Sequence, residues 1–316
     1  MQTVQIPVEK IHLDPDQPRE TYRGIDELAK TFAKVGENFS NLNTFDWEEF
    51  PSLDFMEEMG DVAEASVKIE VSDLVMASSA SSTKESGFNL GGVFFDMKTG
   101  RAVATDGHIL IMAPMEVLKK ADDTETIFLP RAAIGTIRAI FEDTEKEENA
   151  VTSVTVSSFK ADNKTALVLL IEEHGVSLSL RQDPILMPDW EAVISAPEKT
   201  VSIEKKLLRD VLRQVMAISG PEYCGIRTKF NGGLDVGFIN PTVGKYQKMS
   251  VPFKERSYDA DQETEIGLNV NLIQRALAAC KGSDDVKIGF TSKAKPIVFN
   301  FQDLTNFTAL VMPIRV

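Results

Sequence analysis

Four times along the chain a short alternation of apolar and polar residues runs directly into a helical pattern. The four segments are VKIEVSDLVMASSAS from Val67, IFLPRAAIGTIRAIF from Ile127, VSIEKKLLRDVLRQVMAIS from Val201 and IGLNVNLIQRALAACKG from Ile266. Their starts are 60, 74 and 65 residues apart, a spacing that marks an internal repeat. Each helical pattern opens near a capping or first-turn residue: Ser72, Pro130, Ser202 or Glu204, and Asn269 or Asn271. Strand-like runs follow each one, punctuated by Lys98–Thr99–Gly100, Asp162–Asn163–Lys164 and Asn231–Gly232–Gly233, which are hairpin turns by composition.

Two β-α-β-β-β halves make a domain, so the repeat predicts tandem domains at 66–197 and 198–316, joined through Ile194–Lys199. Two helices per domain can cover one face of mostly antiparallel strands, which makes the fold α+β rather than doubly wound α/β.

The helical patterns are two-faced. In Glu204–Ser219, Leu207, Leu208, Val211, Leu212, Val215 and Ile218 fall in one arc of about 140°. Lys205, Lys206, Arg209 and Arg213 fall in a separate arc of about 100°. Arg131 and Arg138 share a face after Pro130, away from Ile134, Ile137 and Phe141. Arg275 and Lys281 charge the fourth segment, and the first, rich in Ser and Ala, adds no cation. Aligned side by side, these bases would make a sequence-independent phosphate surface. No aromatic is interleaved with them, so stacking on single strands is not indicated.

Charge at first contradicts that reading. The 316 residues hold 34 Lys and Arg against 48 Asp and Glu, a net of −14. The excess is local, however. Residues 1–65 hold 15 acids and 5 bases, a net of −10, leaving −4 for the rest. Residues 37–64 contain nine acids, no base, and the aromatics Phe39, Phe45, Trp47, Phe50 and Phe55. Such a stretch is expected to be disordered or to fold on a partner. Residues 1–65 therefore form an acidic N-terminal arm, followed by a nearly neutral body.

Several classes fall away. No apolar run is long enough to cross a bilayer and no basic-then-apolar leader opens the chain, so a cytoplasmic protein with no membrane partner is expected. Cys224 and Cys280 stand far apart without histidine ligands, against a disulfide scaffold or a zinc site, and no metal or other cofactor is implied. Neither G-x-x-x-x-G-K-[ST] nor G-x-S-x-G occurs, and Asp106 beside His108 has no nucleophile in view, so no enzyme is expected.

Six motifs then point to a family. Val103-Ala104-Thr105-Asp106-Gly107-His108 resembles the signature of the bacterial sliding clamp, the β subunit of the replicative DNA polymerase III, and Leu90–Phe95 resembles the strand that enters it. Phe128-Leu129-Pro130-Arg131 is similar to the family's V-P-R helix start, and Met187-Pro188-Asp189-Trp190 to its F-P-D-Y motif. Gly225-Ile226-Arg227 with Asn240-Pro241 follows its G-V-R and N-P-E spacing. Val311–Val316 resembles its V-M-P-M-R-L ending. The likeness covers the family's second and third domains. In the arm, Ile6–Ile11, Asp16–Arg19 and Ile25–Ala29 resemble the opening of a ParB-type partition domain as far as Gly36, which keeps a ParB-like DNA-binding or regulatory protein as the alternative.

The resemblance implies two tandem DNA-clamp domains, with helices lining a ring interior and antiparallel sheets outside. It also implies a processivity factor around double-stranded DNA. Three two-domain copies would supply the family's six domains, so a homotrimer is expected, with monomer or dimer if the arm blocks an edge. DNA contacts are expected from Arg131, Arg138, Lys205, Lys206, Arg209, Arg213, Arg275 and Lys281.

Replicative polymerase and clamp loader would dock short peptides between the family's second and third domains. The matching residues are Leu90, Thr105, Gly107, His108, Leu110, Pro188, Val193, Pro296, Leu310, Met312, Pro313, Ile314 and Arg315. The chain departs from the family at Ile109 and Ala192, where the family usually has Arg. Loss of both charges would make the pocket more apolar. Pro51–Phe55 resembles the peptide that such pockets hold, so Leu53 and Phe55 are candidates for self-occupation; alternatively the arm's acids lie against the basic helices. A short clamp of this kind suits a phage or mobile element.

Overall fold

The computed structural model describes residues 32–35, 38–41, 63–83, 90–120, 126–142, 152–161, 164–171, 176–181, 185–220, 224–240, 242, 244–259, 263–282, 284–300 and 308–315. The ParB-like start and the candidates Leu53 and Phe55 lie outside them. Within the arm, β1 (Phe32–Val35) and β2 (Asn38–Asn41) pair antiparallel, Phe32 to Asn41.

The fourfold repeat is present as anticipated. The first copy is β3 (Ala65–Glu70), α1 (Val71–Ser78), β4 (Gly92–Asp96), β5 (Arg101–Thr105) and β6 (Ile109–Pro114), followed by a short β7 (Glu116–Lys119). The second is β8 (Thr126–Pro130), α2 (Arg131–Glu142), β9 (Ser153–Ala161), β10 (Lys164–Ile171) and β11 (Val176–Arg181). The third is β12 (Lys199–Glu204), α3 (Lys205–Ser219), β13 (Gly225–Phe230), β14 (Gly233–Asn240) and β15 (Lys245–Pro252), followed by β16 (Glu255–Arg256). The fourth is β17 (Thr264–Asn269), α4 (Val270–Ala279), β18 (Asp285–Phe290), β19 (Ile297–Phe299) and β20 (Ala309–Val311).

Local chemistry explains the helix starts. Asn269 caps α4 by accepting from Asn271 N at 2.9 Å. Glu204 precedes α3 without a side-chain bond, so Ser202 stays in the strand. Ser72 lies in the first turn of α1 rather than before it. The strand entering the signature needs a glycine: a Cβ on Gly92 would lie 2.2 Å from the Leu129 carbonyl and 2.6 Å from the Phe128 ring.

The chain divides into two compact units, Met1–Ser66 with Val154–Pro184, and Val67–Ser153 with Ile185–Val316. In the first unit β9, β10 and β11 form an antiparallel meander. Glu64 N donates to Ser158 O at 2.9 Å, and the Ser66 and Ser157 hydroxyls meet at 2.8 Å.

The second unit contains a nine-stranded sheet in the order β16-β12-β18-β19-β20-β6-β5-β4-β8 and a four-stranded sheet in the order β15-β14-β13-β17. The larger sheet takes strands from both expected tandem domains. Its seam is the antiparallel pairing of β20 with β6, Ala309 to Ile111, Leu310 to Leu110 and Val311 to Ile109, all six buried.

Each helix sets its apolar arc against the strands. On α3, Leu208, Val211, Leu212 and Val215 are buried while Lys206, Arg209 and Arg213 are exposed. On α4, Leu272, Ile273, Ala276 and Leu277 are buried, and on α2 Ala133, Ile134 and Ile137. Each fully buried Leu or Ile contributes about 1.5–3 kcal/mol, so the apolar stripes set the helix orientations. The helices also touch one another: α2 packs on α1, α1 on α4, and α4 on α3. No helix among the described residues is long and apolar enough to cross a membrane.

Candidate partner site and basic helix face

The signature residues make a tight turn between β5 and β6. Thr105 Oγ1 donates to Ile109 O at 2.7 Å and accepts from Gly107 N at 3.0 Å. Asp106 Oδ1 accepts from His108 N at 2.9 Å and Ile109 N at 3.0 Å. Gly107 sits at φ +85°, where a side chain would be strained. His108 is thereby held exposed at the tip. Its carbonyl accepts from Met312 N at 2.8 Å, which ties the turn to the C-terminal strand.

Beneath the turn lies a cluster of buried side chains: Val103, Leu110, Met112, Trp190, Val298 and Leu310, with Met187, Ile194 and Met312 packed against it. Trp190 is 3 % exposed, and its indole N–H donates to Asp96 Oδ2 at 3.3 Å. Asp96 also accepts from Lys98 N at 2.9 Å and from Thr99 N at 3.3 Å, shaping the β4–β5 turn. Beyond Trp190, a turn of 3-10 helix over Glu191–Val193 is started by Asp189, whose carboxylate accepts from Ala192 N at 3.2 Å.

Of the thirteen residues expected to form a peptide site, Leu110 and Leu310 are buried cross-strand partners. Thr105, Pro188, Pro296, Met312, Pro313 and Ile314 are partly buried. Gly107, His108, Val193 and Arg315 are exposed. Leu90 is partly buried, its carbonyl accepting from Ser82 N at 2.9 Å. Ile314 N donates to Gly267 O at 2.8 Å, anchoring the terminal segment on β17.

Ile109, one of the two departures from the family pattern, is 1 % exposed, and Ala192, the other, is exposed. Sequence reasoning left out Val103, Met112, Trp190 and Val298. The signals for Trp190 and Val103 were present in their own motifs, whereas Met112 and Val298 are ordinary strand residues until the strands are paired.

The candidate cations fall into two groups. Lys206, Arg209, Arg213 and Arg138 are exposed; Arg213 pairs loosely with Asp210 at 3.7 Å. Lys205 donates to Cys280 O at 2.9 Å. Lys205, Lys206, Arg209, Arg213 and Lys254 line an open cleft of about 460 Å³ together with Glu204, Asp210 and Asp284.

Arg131, Arg275 and Lys281 also bind within the chain. Arg131 donates to Ser81 O at 3.4 Å. Arg275 pairs with Asp106 at 3.1 Å and also donates to Ser79 O. Lys281 pairs with Asp73 at 2.7 Å and reaches Ser72 Oγ at 3.0 Å. Arg275 and Lys281 thus tie α4 to α1 and to the signature turn.

No family model matches the chain. Among curated proteins it is 27 % identical over 292 residues to the beta sliding clamp of Rickettsia bellii, covering 87 % of this chain and 72 % of that protein. It is 24 % identical over 310 residues to the beta sliding clamp of Halalkalibacterium halodurans, covering 95 % and 76 %. Both alignments span more of the chain than residues 66–316, so the likeness reaches into the acidic arm.

Among solved structures, the Pseudomonas aeruginosa DnaN sliding clamp bound to griselimycin superposes with a TM-score of 0.67 at 22 % identity, over 90 % of this chain and 73 % of that one. The beta subunit of Streptococcus pyogenes DNA polymerase gives 0.66 at 20 % identity, over 90 % and 74 %. By sequence the chain is similar to the bacterial beta sliding clamps, and its fold is the sliding-clamp fold.

Proposed function

We propose that this protein is a DNA sliding clamp: it encircles duplex DNA without reading sequence and tethers a replicative polymerase and a clamp loader through short peptides. The observation that carries this is the unbroken row α2-α1-α4-α3, with exposed Arg138 on one end helix and exposed Lys206, Arg209 and Arg213 on the other. Cations on helix faces grip phosphates without touching bases, which lets a ring slide. The peptide seat is the surface around His108, Pro188, Val193, Met312 and Pro313 above the Trp190 cluster, an apolar site with few polar groups. Tandem domains at 66–197 and 198–316 and a ring of three copies complete the reading.

The decisive experiment is topological. Protein assembled on a nicked circular plasmid should stay bound through a high-salt wash and be released when the circle is cut. Equal loss from circular and linear DNA would defeat the proposal. A sequence-specific footprint would favour the ParB-like alternative.

A further inference from the structure

The peptide seat proposed above takes residues from two segments far apart in the chain, the terminal residues after β20 and residues 187–194. They are held differently. The terminal segment is tied down by its backbone, Met312 N donating to His108 O and Ile314 N to Gly267 O. Residues 187–194 belong to no strand, and their backbone donors stay within the segment. Ile194 N donates to Glu191 O at 3.1 Å and Ala192 N to Asp189 Oδ1 at 3.2 Å. Among the described residues, two polar contacts alone join this segment to the rest of the chain: Trp190 to Asp96 at 3.3 Å and Glu191 to Lys98 at 3.5 Å. Both partners stand at the β4–β5 turn.

We propose that Asp96 is a positioning residue for the peptide seat: through Trp190 it fixes residues 187–194 as one wall, although it does not line the seat itself. The inference rests on the peptide reading above and adds to it a residue outside the thirteen expected ones.

Magnitudes decide which of the two contacts matters. Lys98 and Glu191 are both exposed, and an exposed ion pair contributes little. Asp96 and Trp190 are 4 % and 3 % exposed. A buried hydrogen bond to a carboxylate is the stronger kind, and losing either partner leaves the other unpaired away from water. Asp96 is itself held, because its other oxygen accepts from Lys98 N at 2.9 Å and Thr99 N at 3.3 Å. The carboxylate therefore bridges a fixed turn and a segment with no strand partner. Met187, Trp190 and Ile194 also pack on the apolar cluster, but apolar contact is non-directional. The indole N–H supplies the direction. A wall ordered before binding spares the peptide the entropy of ordering it.

Asp96→Asn separates the Trp190 bond from the turn. Its single oxygen can still accept from Lys98 N and Thr99 N, which turns the amide NH2 toward the indole N–H, donor against donor. Hydrogen exchange of the full chain, read by mass spectrometry, should then quicken in 187–194 and stay unchanged in 97–104. In anisotropy titrations with a labelled short acidic peptide ending in Leu and Phe, Asp96→Asn should weaken binding about tenfold, the factor expected for one hydrogen bond to a charged group. Trp190→Phe keeps a ring and drops the N–H, and should weaken binding similarly. The double variant should bind no more weakly than the weaker single one, because both remove the same bond. Lys98→Ala should change affinity less than about twofold.

Unchanged peptide affinity in Asp96→Asn, or unchanged exchange in 187–194, would overturn the proposal. Additive losses in the double variant would overturn it too, since the two residues would then act separately. Absence of titration by every variant and by the unchanged chain would instead sink the peptide reading itself. Exchange in 187–194 would in that case still decide whether Asp96 positions the segment.

Discussion

The guanidinium of Arg275 on α4 lies 3.1 Å from Asp106 Oδ2, while the other oxygen of the same carboxylate caps the signature turn at His108 N and Ile109 N. One aspartate thus shapes the loop that presents His108 and fastens it to a helix of the basic row. Arg275 also donates to Ser79 O at the end of α1, so a single side chain joins three elements.

Asp106→Asn retains an oxygen to cap the turn and loses the charge that faces Arg275, whereas Asp106→Ala loses both. In urea unfolding Asp106→Asn should cost less than about 1 kcal/mol, since the pair is partly exposed. Asp106→Ala should cost about 1–3 kcal/mol, because the turn's backbone N–H groups lose their acceptor. Equal destabilisation by the two variants would show that the cap contributes nothing.

Trp190 is the natural reporter of the proposed peptide seat. It is buried against Leu110, Met112 and Leu310 and held by Asp96. Trp190→Ala should destabilise the fold by about 3–5 kcal/mol. In the intact protein, its fluorescence should shift when a short acidic peptide ending in Leu and Phe is titrated in. His108→Ala should weaken that titration while leaving the unfolding midpoint within experimental error.

The exposed cations of α3 should act on duplex affinity and its salt dependence together. Changing Lys206, Arg209 and Arg213 to Ala should weaken binding uniformly across sequences. It should also lower the magnitude of the log–log salt slope by about 0.9 for each phosphate that is no longer neutralised. Fluorescence anisotropy with a labelled duplex at several salt concentrations measures both. An unchanged slope would take these residues off the phosphate path.

Acid should loosen the four-stranded sheet through Asp235. The Ser250 hydroxyl holds its carboxyl below the ordinary aspartate value, helped by Lys248 and Asn231 and opposed by burial. A group whose folded pKa is depressed stabilises the protein above its unfolded pKa, about 3.9, and loses that contribution as pH falls through the folded value. Stability measured by urea midpoints should therefore fall with acid less steeply in Asp235→Asn than in the unchanged chain.

The two cysteines should separate by reactivity. Burial pushes the Cys280 thiol up to about 12, so it stays protonated at neutral pH, and only the thiolate reacts. Cys224 is partly exposed. Ellman's reagent at pH 8 should titrate one thiol in the native state and two in denaturant, and Cys224→Ser should abolish the native signal.

The sequence by itself determined the repeat, the two-faced helices and the turn chemistry of Thr105–His108. Each of these depends on residues close along the chain: apolar spacing orients a helix, and an Asp-Gly step shapes a turn. It also determined where the negative charge is concentrated, because composition needs no coordinates.

Tertiary structure decided what depends on distant residues. Pairing β20 with β6 made one sheet from strands some two hundred residues apart in sequence. That pairing turned Met112 and Val298 from generic strand residues into part of the cluster beneath the candidate site. The basic helices read alike as patterns, yet Arg275 and Lys281 meet carboxylates of the first repeat while Lys206 and Arg209 stay exposed. A cation's partner is set by which chain segment folds against it, and local periodicity carries no record of that.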